Sequence, residues 1–339
     1  MFDLLVVGDA NPDVILSGAP RRPAYGQREE LVDTGVLTVG GSGAIMACGA
    51  ARLGLRTAFV GRVGDDEAGR FMLTSLEARG VDVSACVVDP ALPTALTVVL
   101  VDGGGAAHRE AGKEPTGAGL DRAILTAPGC LPFLSGTDVP RTLLASARHV
   151  HAASFFLQPR LAADLPSLFS AARSHGATTS LDTNDDPEGR WEGLAEVLAV
   201  TDVLLPNEAE VLAITGAGGT PSGPSPHGSP AGSPVEEAAR ELAARGVLPV
   251  VKLGRDGVLA WTDAGAVHAP AMEVDPVDTV GAGDSLDAGF VAARLRGLPL
   301  DAALRIAAAC GSLSTRAAGG TSAQATWDEA VSAASVPSP

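Results

Sequence analysis

The sequence predicts an α/β domain with a doubly wound, mostly parallel sheet, helices on both faces and a small β lid. Three observations carry this expectation. Short β-rich apolar runs alternate with longer amphipathic ones along most of the chain. Over 339 residues the composition is 46% hydrophobic and 19% charged, enough apolar surface for a large packed core and too much for a disordered chain. Two regions, 14–39 and 94–126, break the alternation with strand-like runs that have no helix between them.

The strand candidates in order are residues 2–8, 57–61, 149–153, 178–182, 202–206 and 249–253. Helix candidates at 43–53, 67–79, 161–175, 208–215 and 235–245 carry apolar residues at three- and four-residue spacing, so each has one face to bury against the sheet. Residues 31–39 and 95–101 read as strands pairing outside the main sheet. They form either a lid over its carboxyl edge or an antiparallel edge extension. The stretch 103–119 falls at a hairpin tip in the lid. Residues 216–234 hold 6 Gly, 5 Pro and 4 Ser, or 15 of 19 positions, which marks a flexible insertion. The chain thus reads as one domain over 1–330 with a tail at 331–339 and no internal repeat.

With 24 Lys plus Arg against 40 Asp plus Glu the formal charge is −16, a surface that repels nucleic acid and anionic membrane alike. A polyanionic ligand therefore needs a local device. Cys48, Cys86, Cys130 and Cys310 show no C-x-x-C or Cys/His pairing, so neither zinc nor a disulfide framework is indicated and a reducing cytoplasm is expected. The apolar run at residues 4–7 is too short for a signal sequence, and no run of about 18 apolar residues follows.

Several familiar motifs fail. Gly112-Lys113 lacks the glycine and the hydroxyl of a phosphate loop, and neither Gly41-Ser42-Gly43 nor Gly281-Ala282-Gly283 continues to the third glycine of a dinucleotide fingerprint. His149 and His151 share one face of a strand with no third ligand near in sequence, which favours a structural role. No G-x-S-x-G elbow is present.

The informative segment runs from Asp278 to Phe290, DTVGAGDSLDAGF, where two glycines open a helix with apolar positions at 282, 286, 290 and 293. Small residues there let a phosphate approach bare N–H groups, and the helix dipole adds roughly half a positive charge. A carboxylate beside a bound anion is misplaced for binding alone. Asp284 therefore reads either as a base taking a hydroxyl proton, with Gly281, Ala282 and Gly283 steadying the transferring phosphoryl group, or as an ordinary acid satisfying helix donors.

D-T-x-G-A-G-D followed by an apolar helix resembles the C-terminal signature of the ribokinase/PfkB carbohydrate kinase family. Gly40-Gly41 running into the Ala-rich segment 42–54 is similar to its N-terminal signature. Residues 8–13, 61–66, 207–210 and 252–257 match further elements in the family's order. The resemblance implies a ribokinase-like fold, ATP and Mg²⁺ as cofactors and a small sugar or polyol as substrate, while the charge leaves no nucleic-acid or membrane partner expected. Asp284 is then the catalytic base and Gly281, Ala282 and Gly283 the anion hole. Asn11, Asp13, Gly40 and Gly41 bind the sugar, although Asn11 before Pro12 also suits an Asx turn. Asn207 and Glu210 match the N-x-x-E element associated with Mg²⁺ through water. Gly254 and Gly257 flank a turn that in relatives approaches the nucleotide, and Lys252 before it either faces the phosphates or snorkels to solvent.

Asp278 and Thr279 correspond to the potassium site of those members that use K⁺, and the lid serves some members as a homodimer interface. Asp182-Thr183-Asn184 with Arg190-Trp191 is similar to a D-x-N…R-x-W element of sugar-acid and hexose kinases. Ile45 stands where many relatives carry an asparagine, which implies an altered hydroxyl pattern in the substrate. The expected function is transfer of the γ-phosphoryl of Mg-ATP to a sugar or sugar-acid hydroxyl. A nucleoside kinase of the same family and a non-catalytic sensor are the alternatives.

Overall fold

The computed structural model describes residues 1–102, 122–217 and 233–336. The hairpin tip expected at 103–119, all but the ends of the 216–234 insertion and the last three residues of the tail lie outside the described residues.

The chain begins with β1 (Phe2–Val7). It then leaves the main sheet as β2 (Asn11–Ala19) and β3 (Thr34–Gly40), and returns through α1 (Ser42–Arg52) to β4 (Thr57–Val60). A short pair, β5 (Arg62–Gly64) and β6 (Val87–Asp89), flanks α2 (Glu67–Glu77), after which come β7 (Leu96–Asp102) and β8 (Arg122–Ala127). The second half alternates through α3 (Arg141–Leu144), β9 (Ala147–Ala153), α4 (Pro159–Ser174), β10 (Thr178–Asp182), α5 (Leu194–Leu198), β11 (Val203–Leu204), α6 (Glu208–Thr215), α7 (Pro234–Ala244) and β12 (Leu248–Lys252). It closes with β13 (Val258–Thr262), β14 (Gly265–Ala269), α8 (Ala282–Leu295), α9 (Leu300–Ser314) and α10 (Trp327–Ala333).

The main sheet has the order β14-β13-β12-β11-β10-β9-β1-β4, parallel from β12 to β4 and antiparallel at the β13 and β14 end. Strand β1 shows why it sits at the centre. Leu4 and Val6 pack on the face covered by α1, α8 and α9, Leu5 and Val7 on the face covered by α4 and α7, and all four are fully buried. A strand covered on both sides reads as an unbroken apolar run. From β1 the chain first builds outward to β4 and later places β9 on the other flank. This makes a topological switch beside β1, where such sheets open a crevice at their carboxyl ends.

The lid is a four-stranded sheet, β3-β2-β7-β8, with a parallel pair at its centre. It begins at Asn11, three residues before the expected 14, so Asn11 and Asp13, two of the residues assigned to sugar binding, lie in the first three positions of β2. Asp66 caps α2 by accepting from the Gly69 N–H, and it also accepts from the Thr94 N–H and hydroxyl, which ties the base of the lid to the body. The expected 202–206 strand shrinks to two residues. The expected tail is packed as far as Val336, because α10 buries Ala330 and Val331 against the α9 face. Among the described residues no helix is long and apolar enough to cross a membrane.

Candidate active site

The carboxyl ends of β1, β9, β10 and β12 converge on the N-termini of α1 and α8. Gly8 and Asp9 end β1, and the Asp9 carboxylate accepts from the Ser42 N–H at 3.0 Å and the Gly43 N–H at 2.9 Å, capping α1. Gly41 sits at φ 84° just before that helix, a left-handed conformation that only glycine takes without strain. At Gly40 the constraint is space, since a Cβ there would lie 1.9 Å from an oxygen of Asp13.

β2 and β3 pair Asn11 with Gly40 and Asp13 with Thr38, which gathers all four expected sugar ligands at one spot. The Asn11 amide donates to Asp13 Oδ1 at 2.9 Å and to Thr97 Oγ1 of the lid at 3.0 Å. Both residues are buried. Burial, reinforced by the charges of Asp9 and Asp278, pushes the Asp13 carboxyl up to about 7.

Gly281 precedes α8 at φ 72°, and a Cβ there would meet the Gly320 Cα at 2.6 Å. The N–H groups of the helix's first turn have no carbonyl one turn earlier to receive them, so Gly283 and Asp284 present theirs to the crevice. Asp278 holds this loop in shape by accepting from the Val280 N–H at 3.0 Å and the Gly319 N–H at 2.9 Å. Thr279 accepts from Arg122 of β8 at 3.4 Å, which brings the lid to the same loop. Ile45 is buried against Gly281 and Gly320, and its carbonyl accepts from Gln324. Ile45 thus packs under the loop that leads into α8, and its side chain offers the crevice no polar atom.

Asp284 is buried in the first turn of α8. Burial and then the charge of Asp182 push its carboxyl up to about 8, with Lys252 pulling the other way. Asp182 ends β10, and one oxygen each from Asp182, Asp284 and Asp287 lie within 4.8 Å of one another. The cation among them is Lys252, whose Nζ stands 2.7 Å from Asp182 and 3.2 Å from Asp287. The ammonium does not snorkel. Burial works against its charge, yet the two carboxylates outweigh burial and raise it above the ordinary lysine value. Burial raises Asp182 in turn, and Lys252 overcomes that and holds it below the ordinary range, while Asp287 is pushed well above.

Asn207 and Glu210 form a reciprocal cap on α6. The Asn207 side chain accepts from the Glu210 N–H, and Glu210 accepts from the Asn207 N–H at 2.8 Å and the Asn207 side-chain amide at 2.6 Å. Burial and the charge of Asp182 push Glu210 up to about 7. Asn207→Ala removes these side-chain bonds together and is expected to cost about 1–2 kcal/mol in denaturant unfolding. Gly254 and Gly257 bracket a single 3-10 turn at the end of β12. Asn184 accepts from the Ser154 N–H and donates to the Ser42 hydroxyl, bridging β9 to α1 inside the crevice, whereas Arg190 is exposed on the surface.

Asp287 and Ser42 are the site residues the sequence did not single out, and Asp182 entered only as the first residue of the D-x-N element, with no place beside Asp284. The available signals were a carboxylate at the end of a strand candidate and one three residues after Asp284. Behind them lies a polar file on the α8 side of the sheet, where His149 bonds with Thr178 and Ser180 at 2.7 Å each and His151 with Ser180 at 2.8 Å. Burial pushes both imidazoles down, His149 to about 3 and His151 to about 4, so they stand neutral and structural.

The fold is that of a ribokinase-like α/β kinase. Residues 1–327 match the pfkB family carbohydrate kinase model, and the chain belongs to that family. It is a carbohydrate kinase. A fructokinase of Klebsiella pneumoniae is 31% identical over 298 residues, covering 84% of this chain and 88% of its own. An ATP-dependent ribose-1-phosphate kinase of Halopiger xanaduensis is 30% identical over 323 residues, 95% of each chain. The fold is shared with an Arabidopsis thaliana ribokinase solved with ribose and ATP, at a TM-score of 0.78, 24% identity and 99% coverage of both chains.

Proposed function

We propose that this kinase moves the γ-phosphoryl of Mg-ATP to a hydroxyl of a small sugar or sugar acid in the cytoplasm. The observation that carries the proposal is a buried carboxyl, Asp284, in the same helical turn as the outward-facing N–H groups of the anion hole. The acceptor lies against Gly40 and Gly41 and is gripped by Asn11 and Asp13, an amide and a carboxylate suited to paired hydroxyls. Asp284 takes the hydroxyl proton, the oxygen bonds to the γ-phosphorus, and the bond to the β-phosphate bridging oxygen breaks to release ADP. The N–H groups assigned to the anion hole at Gly281, Ala282 and Gly283 stabilise the charge on the transferring group, that of Ala282 after giving up its 3.3 Å bond to the Thr279 carbonyl.

The nucleotide runs from this turn towards Gly254 and Gly257, with Lys252 at the end of β12 beneath. Glu210 and Asn207 suit Mg²⁺ as hard oxygen ligands. Because their cap already engages both Glu210 oxygens, they reach the ion through its water. When bound, Mg²⁺ supplies neutralisation of the phosphate charge. A buried carboxyl raised to about 7 favours a nearby cation. Asp278 and Thr279 are assigned to K⁺. The exposed lid residues Leu37, Ile124 and Leu125 support a homodimer through the lid.

The test is ADP release from Mg-ATP with fructose, ribose, ribose-1-phosphate, 2-keto-3-deoxygluconate and adenosine, each in K⁺ and in Na⁺. One sugar or sugar acid is expected to exceed background hydrolysis at least about 100-fold. Turnover of adenosine alone overturns the acceptor assignment. No turnover, with ATP still raising the melting temperature, reduces the proposal to ligand binding. Equal rates in K⁺ and Na⁺ remove the potassium assignment.

A further inference from the structure

Lys252 is enclosed in a way that a nucleotide ligand is not. Its side chain is 11% exposed, and its ammonium is held by Asp182 and Asp287, whose side chains are 2% and 1% exposed. Its stem runs beside Gly283, where a Cβ would stand 3.4 Å from the lysine Cδ. A phosphate reaching this ammonium would have to displace two buried carboxylates and leave them uncompensated, a costly exchange in a low dielectric. Asp284, by contrast, already shares the cluster.

The charges around Asp284 come from every side of the crevice. Asp9 faces it from the β1 end and Asp182 from β10, Asp287 stands one turn along α8, and Ser42 of α1 offers a hydroxyl. Glu210 of α6 and His151 of β9 face the lysine and Asp182 rather than Asp284 itself. Lys252 is the single cation in the set. Asp287 Oδ1 has no partner, so the clamp has no other donor to satisfy it.

We propose that Lys252 is a positioning residue that acts on phosphoryl transfer through Asp284: clamped between Asp182 and Asp287, its ammonium offsets the crowded carboxylate charge and keeps Asp284 available as a base, without touching the nucleotide. This rests on Asp284 being the base. The clamp also places a fixed positive charge under the anion hole, on the side away from solvent.

The test compares wild type, Lys252→Met and the double variant Asp182→Asn/Asp287→Asn. Two readouts are the pH profile of kcat and the ¹³Cγ NMR titration of aspartate-labelled protein, with Asp284 assigned by its absence in Asp284→Asn. In Lys252→Met the acid limb and the Asp284 titration both move up by about one pH unit or more, a tenfold change in proton affinity. Activity lost near pH 7 is then recovered near pH 9, roughly, and KM for ATP stays within about twofold. In the double variant the charge of Asp182, which itself raises Asp284, is removed, so both readouts move down and report the carboxylate crowding that Lys252 offsets. Loss of kcat by the same factor at every pH with the titration unmoved overturns the proposal, as does a rise of about tenfold in KM for ATP with no shift of the limb. If Lys252→Met does not fold, Lys252→Gln, which keeps a donor for both carboxylates and removes only the charge, decides in its place, with an upward shift in support and no shift or a downward one against. If wild type turns over no acceptor, the kinase reading fails by itself while the NMR titration still decides the role of Lys252.

Discussion

Asp284→Asn is expected to lower kcat by about 10²–10⁴-fold while leaving the fold and ATP binding in place. The amide is nearly isosteric, so the packing of the first turn of α8 and the N–H groups beside it are retained, and only the proton acceptor is lost. The wild-type pH dependence follows from the same group. Because the base must be ionised and its carboxyl stands near 8 in the free protein, kcat/KM rises with pH up to about 8 and levels off above it. The variant's residual activity should lose that rise. Steady-state rates across pH, with melting curves at each pH, check both statements, and a variant retaining more than about a tenth of wild-type kcat would remove Asp284 from the role.

Gly281→Ala is expected to damage stability and activity together. A Cβ at φ 72° costs about 1–2 kcal/mol by itself. The same Cβ would stand 2.6 Å from the Gly320 Cα, so the loop has to move. Movement there tilts the N–H groups of residues 281–283 away from the phosphoryl group, and loss of one such donor costs about 10²–10³-fold in kcat. Denaturant unfolding and kcat should fall together, with KM for the sugar changed little because Asn11 and Asp13 belong to another element. A folded variant with full kcat would show that this cradle does not hold the transferring group.

The parts of the site that were legible in the sequence are those where local chemistry and tertiary role coincide. Asn207 and Glu210 cap α6 by bonds three residues apart, so the start of α6 could be placed at Glu208. Gly281 and Gly283 announced the entry to α8 because a tight turn into a helix needs residues of their size. β11 is shorter than the expected 202–206, although its neighbours still bond to the flanking strands: the Leu205 N–H donates to the Leu181 carbonyl and the Pro206 carbonyl accepts from the Lys252 N–H. The strands β13 and β14 lie outside the expected set although β13 carries an apolar run from Val258 to Trp261, because they pair as a hairpin with each other and β12 and no helix separates them to continue the alternation. The clamp on Lys252 was out of reach for a different reason. Its carboxylates lie 70 and 35 residues from the lysine, and no periodicity connects three elements that meet only at the sheet's edge.

The gathering of carboxyls at that edge changes what the formal charge of −16 means for the folded molecule. Asp13 and Glu210 stand near 7 and Asp284 near 8, so near neutrality a share of the counted negative charge is masked by bound protons. All of that masking falls at one place. An electrostatic map of the native protein is therefore an acidic shell with a gap at the mouth of the crevice, and the capture rate of a polyphosphate depends on the gap rather than on the shell.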